Sequence, residues 1–330
     1  MTAEALHYSS FVFDAHCDTL GFAVQPGENR RDPLQWGQTM HLDLPRMRAG
    51  GICCQIFACF PGQSRLLSGP CSAALDRLEA FEDLRRRAGG ELILVQTAED
   101  LLALQPGGPI GGILGLEGAE ALEGSLTRLH TFFRLGLRNL GLAWNGRNAA
   151  CDGVEVGTQA GLTEFGRQVV AACNDLGIML DVSHLNPAGA AEVLERSARP
   201  IIASHSNASA LLDHPRNLTD AQIRAIAAAG GVIGATFASI FITPGGENAT
   251  LTRFLDHVDH LVQMAGPQHV GLGSDFDGTD LPPELSGADK YPQVTDGLLA
   301  RGYADEAIRG ILGENFRRVF AQVLPRGGGQ

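Results

Sequence analysis

A histidine and an aspartate two residues apart are the first residues in the chain whose types suggest metal chemistry. His16 and Asp18 follow the apolar run Phe11–Ala15 in the segment FVFDAHCDTL. Because side chains alternate along a strand, residues i and i+2 project in the same direction. An imidazole and a carboxylate that point together suit a divalent cation with nitrogen and oxygen preferences, above all zinc. The same pair also fits a plain hydrogen-bonded couple, so the choice depends on what the rest of the chain adds.

Other apolar runs of the chain also end in residues that can bind a cation or carry a proton. These residues are Glu117 after ILGL, His184 after MLDVS, His205 after IIAS, and Asp275 after GLGS. In a barrel of parallel strands, the carboxyl ends of the strands meet at one rim, where active sites are built. Coincidence across five strands is improbable, whereas a single metal centre explains all of these residues together. The sequence therefore predicts a metal site at that rim.

The number of ligands indicates two cations that share Glu117. The other ligands would be His16 and Asp18 for one cation, and His184 and His205 for the second. Some metal barrels bridge their cations with a carbamylated lysine, but the only lysine here, Lys290, lies beyond the last predicted strand. The bridge should therefore be a carboxylate. Two cations about 3.5–4 Å apart can hold a hydroxide and polarise a carbonyl or phosphoryl oxygen.

Two charged residues of the predicted rim are assigned roles other than metal binding. We expect Asp275 to act as the proton carrier, because a carboxylate beside activated water can take its proton and pass it to a leaving amine. Asp277 lies farther into the same loop, and a turn-forming or hydrogen-bonding role is expected for it. Arg216, in the segment HPRNLT, could hold a substrate carboxylate with two parallel hydrogen bonds.

Three further residues with reactive side chains are expected to be structural. Cys17 lies between the two ligands of the first strand and should face the helix layer. His257 and His260 stand three residues apart among aspartates, which is typical of a solvated helix face.

The elements that must position these residues alternate regularly along the chain. The predicted strands are Phe11–Ala15, Ile52–Phe60, Gly112–Leu116, Leu140–Trp144, Ile178–Val182, Ile201–Ser204, Val232–Phe237 and Val270–Gly273, with a weaker run, Leu92–Val95, expected outside the main sheet. The predicted helices are Ala73–Arg87, Ser125–Leu135, Thr163–Leu176, Pro187–Arg196, Asp220–Ala228 and Leu251–Met264.

About eight strand–helix alternations predict an α/β protein that forms a single (β/α)8 TIM barrel. The domain is expected to span residues 1–330, with a short polar tail from about residue 325. A doubly wound sheet is the alternative. It would be expected to have a glycine-rich phosphate loop after the first strand, where His16, Cys17 and Asp18 stand instead.

The bulk composition limits the partners and the compartment. The chain has 330 residues, of which 44% are hydrophobic and 19% charged, with a net charge of −12. This acidic balance argues against a nucleic-acid partner or an anionic membrane surface. The seven cysteines lack metal or redox spacing and indicate buried free thiols in a reducing, cytoplasmic compartment. No signal-peptide pattern and no apolar run near the ~20 residues of a membrane span are found.

Taken in order, these motifs resemble the membrane (renal-type) dipeptidases of the metal-dependent amidohydrolase superfamily. The motifs that carry the resemblance are His16-x-Asp18, Gly115-Leu-Glu117-Gly118, Asp181-Val-Ser-His184, Ser204-His205-Ser206, Arg216-Asn217, the segment 271–278 (GLGSDFDG), Lys290-Tyr-Pro and the segment 315–320 (NFRRVF). The resemblance covers nearly the whole chain. It implies a binuclear zinc dipeptidase in which Asp275 is the catalytic carboxylate and Arg216 holds the dipeptide's C-terminal carboxylate. It also implies zinc binding by His16, Asp18, Glu117, His184 and His205.

The stretch after the fourth strand departs from the family pattern. Many animal members have a histidine there that contacts the reaction intermediate, whereas this chain has Trp144 followed by Asn145. Polarisation of the substrate carbonyl would then rest on the metal and Asn145, and both residues are expected to contact substrate. The signal peptide and lipid anchor of the animal enzymes are not found, which favours a soluble bacterial-type enzyme. Dimers are common in the family, so a homodimer is a candidate assembly.

The expected activity is hydrolysis of L,L-dipeptides, extending to L,D-dipeptides, by attack of a metal-bridging hydroxide. Metal-dependent lactonase or phosphoesterase activity is the alternative, because such barrels share ligand sets and a fold does not determine a function. A metal-bound, non-catalytic peptide-binding protein is a third interpretation. Substrate preference is expected to depend on three rim loops, near Gln25–Gln38, Trp144–Thr158 and Phe241–Thr250.

Overall fold

The computed structural model of the chain describes residues 2–25, 27–37 and 39–327. Pro26 and Gln38 of the first predicted rim loop, and the last three residues of the predicted tail, lie outside these ranges. Within them the β-strands are β1 (Val12–Cys17), β2 (Ile52–Ala58), β3 (Leu92–Leu94), β4 (Ile110–Glu117), β5 (Leu137–Gly141), β6 (Met179–Asp181), β7 (Ile202–Ala203), β8 (Val232–Ala235) and β9 (Val270–Leu272).

Eight of these strands close into a parallel barrel. The hydrogen-bonded order around the ring is β1, β2, β4, β5, β6, β7, β8 and β9, and β9 returns to β1. The pairing of β2 with β4, from Cys54 opposite Gly111 to Ala58 opposite Gly115, completes the ring without β3. The predicted (β/α)8 barrel is confirmed.

The short strand β3 corrects one prediction. The run Leu92–Val95 was expected outside the main sheet, but β3 pairs in parallel with the first half of β4, with Leu92 opposite Ile110 and Leu94 opposite Gly112. It is therefore a ninth strand of the same sheet, although it is not a member of the ring. The reason is that β4 is longer at its start than its neighbour β5, which leaves an edge that β3 can occupy.

Helices return the chain from each strand to the start of the next. Within the described ranges they are α1 (Ala3–Tyr8), α2 (Leu20–Ala23), α3 (Leu44–Ala49), α4 (Pro70–Arg87), α5 (Ala98–Ala103), α6 (Leu126–Arg134), α7 (Glu164–Leu176), α8 (Pro187–Arg196), α9 (Asp220–Ala228), α10 (Ser239–Ile242), α11 (Leu251–Ala265), α12 (Tyr291–Ala300), α13 (Asp305–Arg309) and α14 (Asn315–Val323). None of the helices in the described part of the chain combines the length and apolarity that crossing a membrane requires.

Polar caps explain where several of these helices begin. The side chain of Thr163 accepts a hydrogen bond from Gly166 N at the start of α7, and Asn186 does the same for Gly189 N at the start of α8. Thr219 and Gln222 form a capping box at the start of α9. Each cap satisfies amide groups that have no partner within the helix. The six predicted helices are present, with ends that differ by three residues at most.

The end of the barrel where the strands begin is filled by aromatic side chains. Phe13 of β1 lies 5.4 Å from Phe316 and 5.3 Å from Phe320 of α14, measured between ring centroids. Met179, the first residue of β6, belongs to the same buried cluster. We call Phe13, Met179, Phe316 and Phe320 the floor of the barrel. Helix α14 thus closes this end mainly with apolar contacts, and Asn315 at its start adds hydrogen bonds to the Pro267 and Val270 carbonyls.

Two predictions about residues outside the rim have different outcomes. The cysteines in the described residues are all free, and all but Cys71 are buried, as predicted; Cys17 packs between strands and helices. The predicted solvated face of α11 is wrong. His257 is buried, its Nδ1 accepts from Ala208 N at 3.2 Å, and its Nε2 lies 3.3 Å from the Ile242 carbonyl. His260 pairs with Asp220 at 2.7 Å, because α9 and α10 cover this side of the helix.

Candidate active site

The predicted site residues meet at the carboxyl end of the barrel. His16 is the second-last residue of β1, and Glu117 is the last residue of β4. Each of the others follows a strand by two or three residues, these being His184 after β6, His205 after β7 and Asp275 after β9. With Asp18, these six residues form what we call the rim cluster. Except for Asp18, which is 18% exposed at its side chain, they are buried.

The backbone turns sharply where two of these side chains enter the site. His184 has a φ of 69° and Asp275 a φ of 64°, and Asp277 follows with 67°. These are left-handed conformations, which are uncommon for residues with a Cβ and least unfavourable for Asn, Asp and His. Asp275 N also donates to the His16 carbonyl at 3.2 Å, which ties the end of β9 to that of β1. Such strain typically marks functional sites.

The carboxylate of Glu117 stands between the imidazoles of the rim cluster. Its Oε1 is 2.9 Å from His184 Nε2 and 3.8 Å from His205 Nε2. Its Oε2 is 3.7 Å from His16 Nε2, on the side where Asp18 approaches the same nitrogen at 3.6 Å. The two oxygens therefore face two different sets of the residues predicted as ligands, and the bridging role of Glu117 stays a prediction.

Hydrogen bonds on the far side of two rings determine which nitrogen faces Glu117. His184 Nδ1 donates to Asn145 Oδ1 at 2.6 Å. His205 Nδ1 lies 2.7 Å from Ser204 Oγ, whose own hydroxyl donates to Asp181. Both rings therefore carry their proton on Nδ1 and direct the lone pair of Nε2 into the site, which is the arrangement of metal-binding histidines.

Burial keeps the rings of His184 and His205 neutral. It lowers the pKa of His184 and of His205 well below the usual value, and the positive charges of His16 and Arg216 act in the same direction. Burial, followed by the negative charge of Asp18, raises the pKa of Glu117 well above its usual range.

The remaining members of the rim cluster respond to the charges around them. For His16, burial disfavours the charged form, but the carboxylates of Glu117 and Asp18 outweigh it and raise the pKa to about 10. Burial also raises the pKa of Asp275 to about 6, against the opposing charge of His16.

The cluster fits divalent cations better than it fits a set of protein hydrogen bonds. His16 Nε2 is buried and has no hydrogen-bond partner. The Nε2 atoms of His184 and His205 lie only 2.9 Å apart with lone pairs directed at each other. Possible ligand atoms of His16, Glu117 and His205 lie within 4.8 Å of one another, and so do those of His16, Asp18 and Asp275. Neutral imidazoles with carboxylates are the ligands that zinc prefers, and a cation would replace the shared protons.

The loop after β9 supports the cluster from outside. Asp277 accepts hydrogen bonds from the Thr19 hydroxyl and from His41 N, each at 2.6 Å, so its predicted hydrogen-bonding role is confirmed. Gly278 lies directly against the carboxylates of Asp18 and Asp275, and a Cβ at this position would collide with Asp18. Only glycine leaves both carboxylates in place.

A cavity of about 390 Å³ opens above the rim cluster. It lies within the size range of small-molecule pockets. Arg216 lines it, and only 5% of that residue is exposed. The guanidinium donates from Nη2 to the His205 carbonyl at 3.4 Å and lies 5.2 Å from the centroid of Phe241, while its Nε is buried with no partner. Among the described residues, no carboxylate lies within ion-pair distance of it.

Trp144 and Asn145 both line this cavity, and their contact with substrate stays a prediction. The ring of Trp144 lies 5.2 Å from Phe60 and 6.0 Å from His184, between centroids. The amide of Asn145 is held at both ends, because its oxygen accepts from His184 and its nitrogen donates to Glu155 at 2.8 Å. This contact orients His184; the prediction that Asn145 polarises a substrate carbonyl stays a prediction.

Sequence reasoning missed residues on two sides of the site. Asp181 and Ser204 stand behind His205 and hold its tautomer, and both fall within the motifs already quoted. Phe60, Gly62 and Arg77 line the cavity from the connection after β2, which was not among the three predicted specificity loops. The sequence pattern of an amphipathic helix does not distinguish an arginine that lines a cavity, such as Arg77, from one on the outer surface.

A parallel eight-stranded barrel with imidazoles and carboxylates at its carboxyl rim defines a metal-dependent hydrolase of the (β/α)8 class. The model of the family described as "Membrane dipeptidase (Peptidase family M19)" matches residues 1–325 of the chain. A dipeptidase of Schizosaccharomyces pombe, described as uncharacterised, is 34% identical over 301 residues, which are 86% of this chain and 72% of that protein.

Solved structures agree with this match. A metallopeptidase of Rhodobacter sphaeroides, liganded with a phosphinate mimic of the dipeptide L-Ala-D-Ala, is 33% identical and has a TM-score of 0.87, covering 96% of this chain and 99% of its own. A dipeptidase of family M19 is 34% identical with a TM-score of 0.88 and the same coverage. The chain therefore belongs to the membrane dipeptidase family, peptidase family M19, and is a metallo-dipeptidase.

Proposed function

We propose that the chain hydrolyses dipeptides with two zinc ions bridged by Glu117 and a hydroxide. The ligands would be His16, Asp18, Glu117, His184 and His205. The substrates would be L,L-dipeptides and also L,D-dipeptides, since the Rhodobacter sphaeroides relative is liganded with a mimic of L-Ala-D-Ala.

The observation that supports a dipeptide substrate most directly is the state of Arg216. Its guanidinium is buried in the same cavity as the rim cluster, and its Nε has no partner. Burial lowers the pKa of Arg216 to about 10, so the group remains charged at neutral pH. A buried charge without a counterion is unfavourable, and a substrate carboxylate would neutralise it with paired hydrogen bonds.

The side chains divide the work of peptide-bond hydrolysis among them. When bound, the cations supply an activated water molecule at neutral pH and polarise the scissile carbonyl. Asp275 takes a proton from the water and returns it to the departing amine. Arg216 holds the terminal carboxylate and so restricts the enzyme to substrates of two residues. Trp144 walls the cavity, and Asn145 keeps His184 oriented.

Replacing Arg216 by Met tests the assignment. We expect kcat/KM for Ala-Ala to fall by about 10- to 100-fold, because hydrogen bonds to a charged partner are lost. The amide Ala-Ala-NH2, which lacks the carboxylate, should be affected far less. Steady-state kinetics of zinc-loaded protein give both values, and Arg224→Met, an exposed arginine of α9, is the matched control.

Other outcomes would contradict the proposal. If the zinc-loaded protein cleaved lactones or phosphotriesters but no dipeptide, the enzyme would belong to the alternative class. If a fully metallated protein bound dipeptides without cleaving them, it would be a peptide-binding protein. A panel of L,L- and L,D-dipeptides, lactones and phosphotriesters, assayed after metal analysis, separates these cases.

We also propose a cytoplasmic location and a small-molecule substrate rather than a nucleic acid or a membrane. The free cysteines of the described residues support a reducing compartment, and the net charge of −12 disfavours polyanionic partners. A homodimer stays a prediction, which light scattering of the purified protein would test.

A further inference from the structure

A second arginine, Arg77 of α4, lines the cavity at the side opposite Arg216. It stands in the helix that follows β2, whereas Arg216 stands in the loop that follows β7. In the ring order, four steps separate β2 from β7 in either direction, so the two strands are diametrically opposed. In that ring, β1 and β9 stand between β2 and β7 on one side and β4, β5 and β6 on the other, and β1, β4, β6 and β9 carry or precede residues of the rim cluster. A dipeptide anchored at Arg216, with its peptide bond at the cluster, would therefore have its N-terminal residue on the side of Arg77.

Arg77 differs from the other three arginines of α4. Near the end of α4, Arg85 pairs with Glu82 at 2.6 Å, Arg87 pairs with Asp83 at 3.3 Å, and Arg86 also pairs with Asp83. Arg77 donates only to the Ala73 carbonyl, at 2.9 Å, and no carboxylate of the described residues lies within ion-pair distance. The unpaired guanidinium is thus the one that faces the cavity.

The surroundings of Arg77 leave its guanidinium room to receive a ligand. The residue is half-buried, and burial lowers its pKa. Gly62 lies beside it with a φ of 85°, and a Cβ there would come within 3.2 Å of Arg77 Nη2. Phe60, whose ring lies 5.2 Å from that of Trp144 between centroids, forms the adjoining wall. The site therefore combines a partly desolvated cation with an aromatic wall and free approach for a planar anion.

We propose that Arg77 binds a carboxylate in the side chain of the substrate's N-terminal residue, so that the enzyme prefers dipeptides beginning with Glu or Asp. The inference rests on the proposed function, because Arg216 must hold the C-terminal carboxylate for the N-terminal residue to lie on the Arg77 side. Two guanidinium groups at opposite sides of the cluster then match the two carboxylates of the substrate.

The test compares kcat/KM for Glu-Ala, Ala-Glu, Ala-Ala and Lys-Ala in zinc-loaded wild-type protein and in Arg77→Met. We expect the wild type to favour Glu-Ala over Ala-Ala, and the substitution to lower that ratio by about 10- to 100-fold. Arg77→Glu should reverse the preference toward Lys-Ala. The matched control is Arg86→Met, on the same helix with a side chain 73% exposed, which should leave the ratio as in the wild type.

Substrate ratios separate a specificity role from a structural one, since general damage lowers all four values together. Equal losses for Glu-Ala and Ala-Ala in Arg77→Met would overturn the inference while leaving the proposed function in place. A larger loss for Ala-Glu than for Glu-Ala would overturn the assignment to the N-terminal residue. Failure of wild-type protein to cleave any of the four would instead contradict the proposed function.

Discussion

The two ends of the barrel are built from the same strands, but one end buries apolar side chains and the other buries polar ones. At the floor, the ring of Phe13 packs against those of Phe316 and Phe320, and all three residues are buried. At the rim, the same depth of burial encloses imidazoles and carboxylates, including a His16 nitrogen with no hydrogen-bond partner. The floor thus satisfies all of its side chains within the protein, and the rim does not.

This contrast shows where stability and function are separated in the molecule. The left-handed residues His184, Asp275 and Asp277 lie at the rim, whereas Glu123 and Asn248, which are also left-handed, lie in exposed connections. Each left-handed conformation of this kind is unfavourable by about 1–3 kcal/mol, and it persists only when the surrounding structure enforces it. The floor has the opposite character, because its ring contacts come from regular strands and one helix. We therefore expect rim substitutions to change chemistry and floor substitutions to change stability.

The largest expected effect is on the chemistry of the rim. Asp275→Asn should lower kcat by about a thousandfold, because the proton carrier is lost. Asparagine also tolerates the left-handed conformation, so the free energy of unfolding should change little. Kinetics with metal analysis check this result. A variant that turned over at the wild-type rate would exclude the role, and one that lost a metal ion would make Asp275 a ligand.

The second effect concerns the floor. Phe316→Ala should lower the free energy of unfolding by about 3–5 kcal/mol, because it removes a buried ring and leaves a cavity. At temperatures where the variant remains folded, kcat should be close to that of the wild type. Urea denaturation and kinetics on the same sample give both values. If kcat of the folded variant fell by about tenfold or more, stability and catalysis would not be separated between the two ends of the barrel.

The smallest effect concerns the residues behind the ligands. Ser204→Ala removes the hydrogen bond to His205 Nδ1 and should weaken zinc binding by about 10- to 100-fold. Competition with a chelator measures this affinity directly. Ser206→Ala is the matched control, because Ser206 is equally buried but its hydroxyl has no partner. Equal losses in both variants would assign the effect to packing rather than to orientation of the ring.

The residues of the rim cluster were more predictable from the sequence than the roles of residues on the surrounding helices. Strand ends are encoded by apolar runs followed by polar residues, so His16, Glu117, His184 and His205 could be assigned to one rim before the fold was known. The position of Arg77 could not, because helical periodicity does not say which polar residue of α4 turns toward the cavity. His257 failed for a related reason, since nothing in the pattern of α11 shows that α10 covers it.

The hydrogen bonds that orient His184 and His205 could not be predicted from the sequence patterns either. Asp181 and Ser204 meet because β6 and β7 are neighbours in register. The link between Asn145 and His184 depends on two loops whose conformations have no periodic signal. Such contacts follow from the closed barrel as a whole rather than from any one segment.

The position of α14 has a consequence for biosynthesis. The ring of Phe13, near the start of the chain, finds its partners in a helix that spans Asn315–Val323. During translation, the Phe13 ring of β1 therefore stays uncovered by Phe316 until α14 has left the ribosome. Exposed apolar surface of this kind favours aggregation. Chaperone dependence of the newly made protein should accordingly last until the final helix emerges.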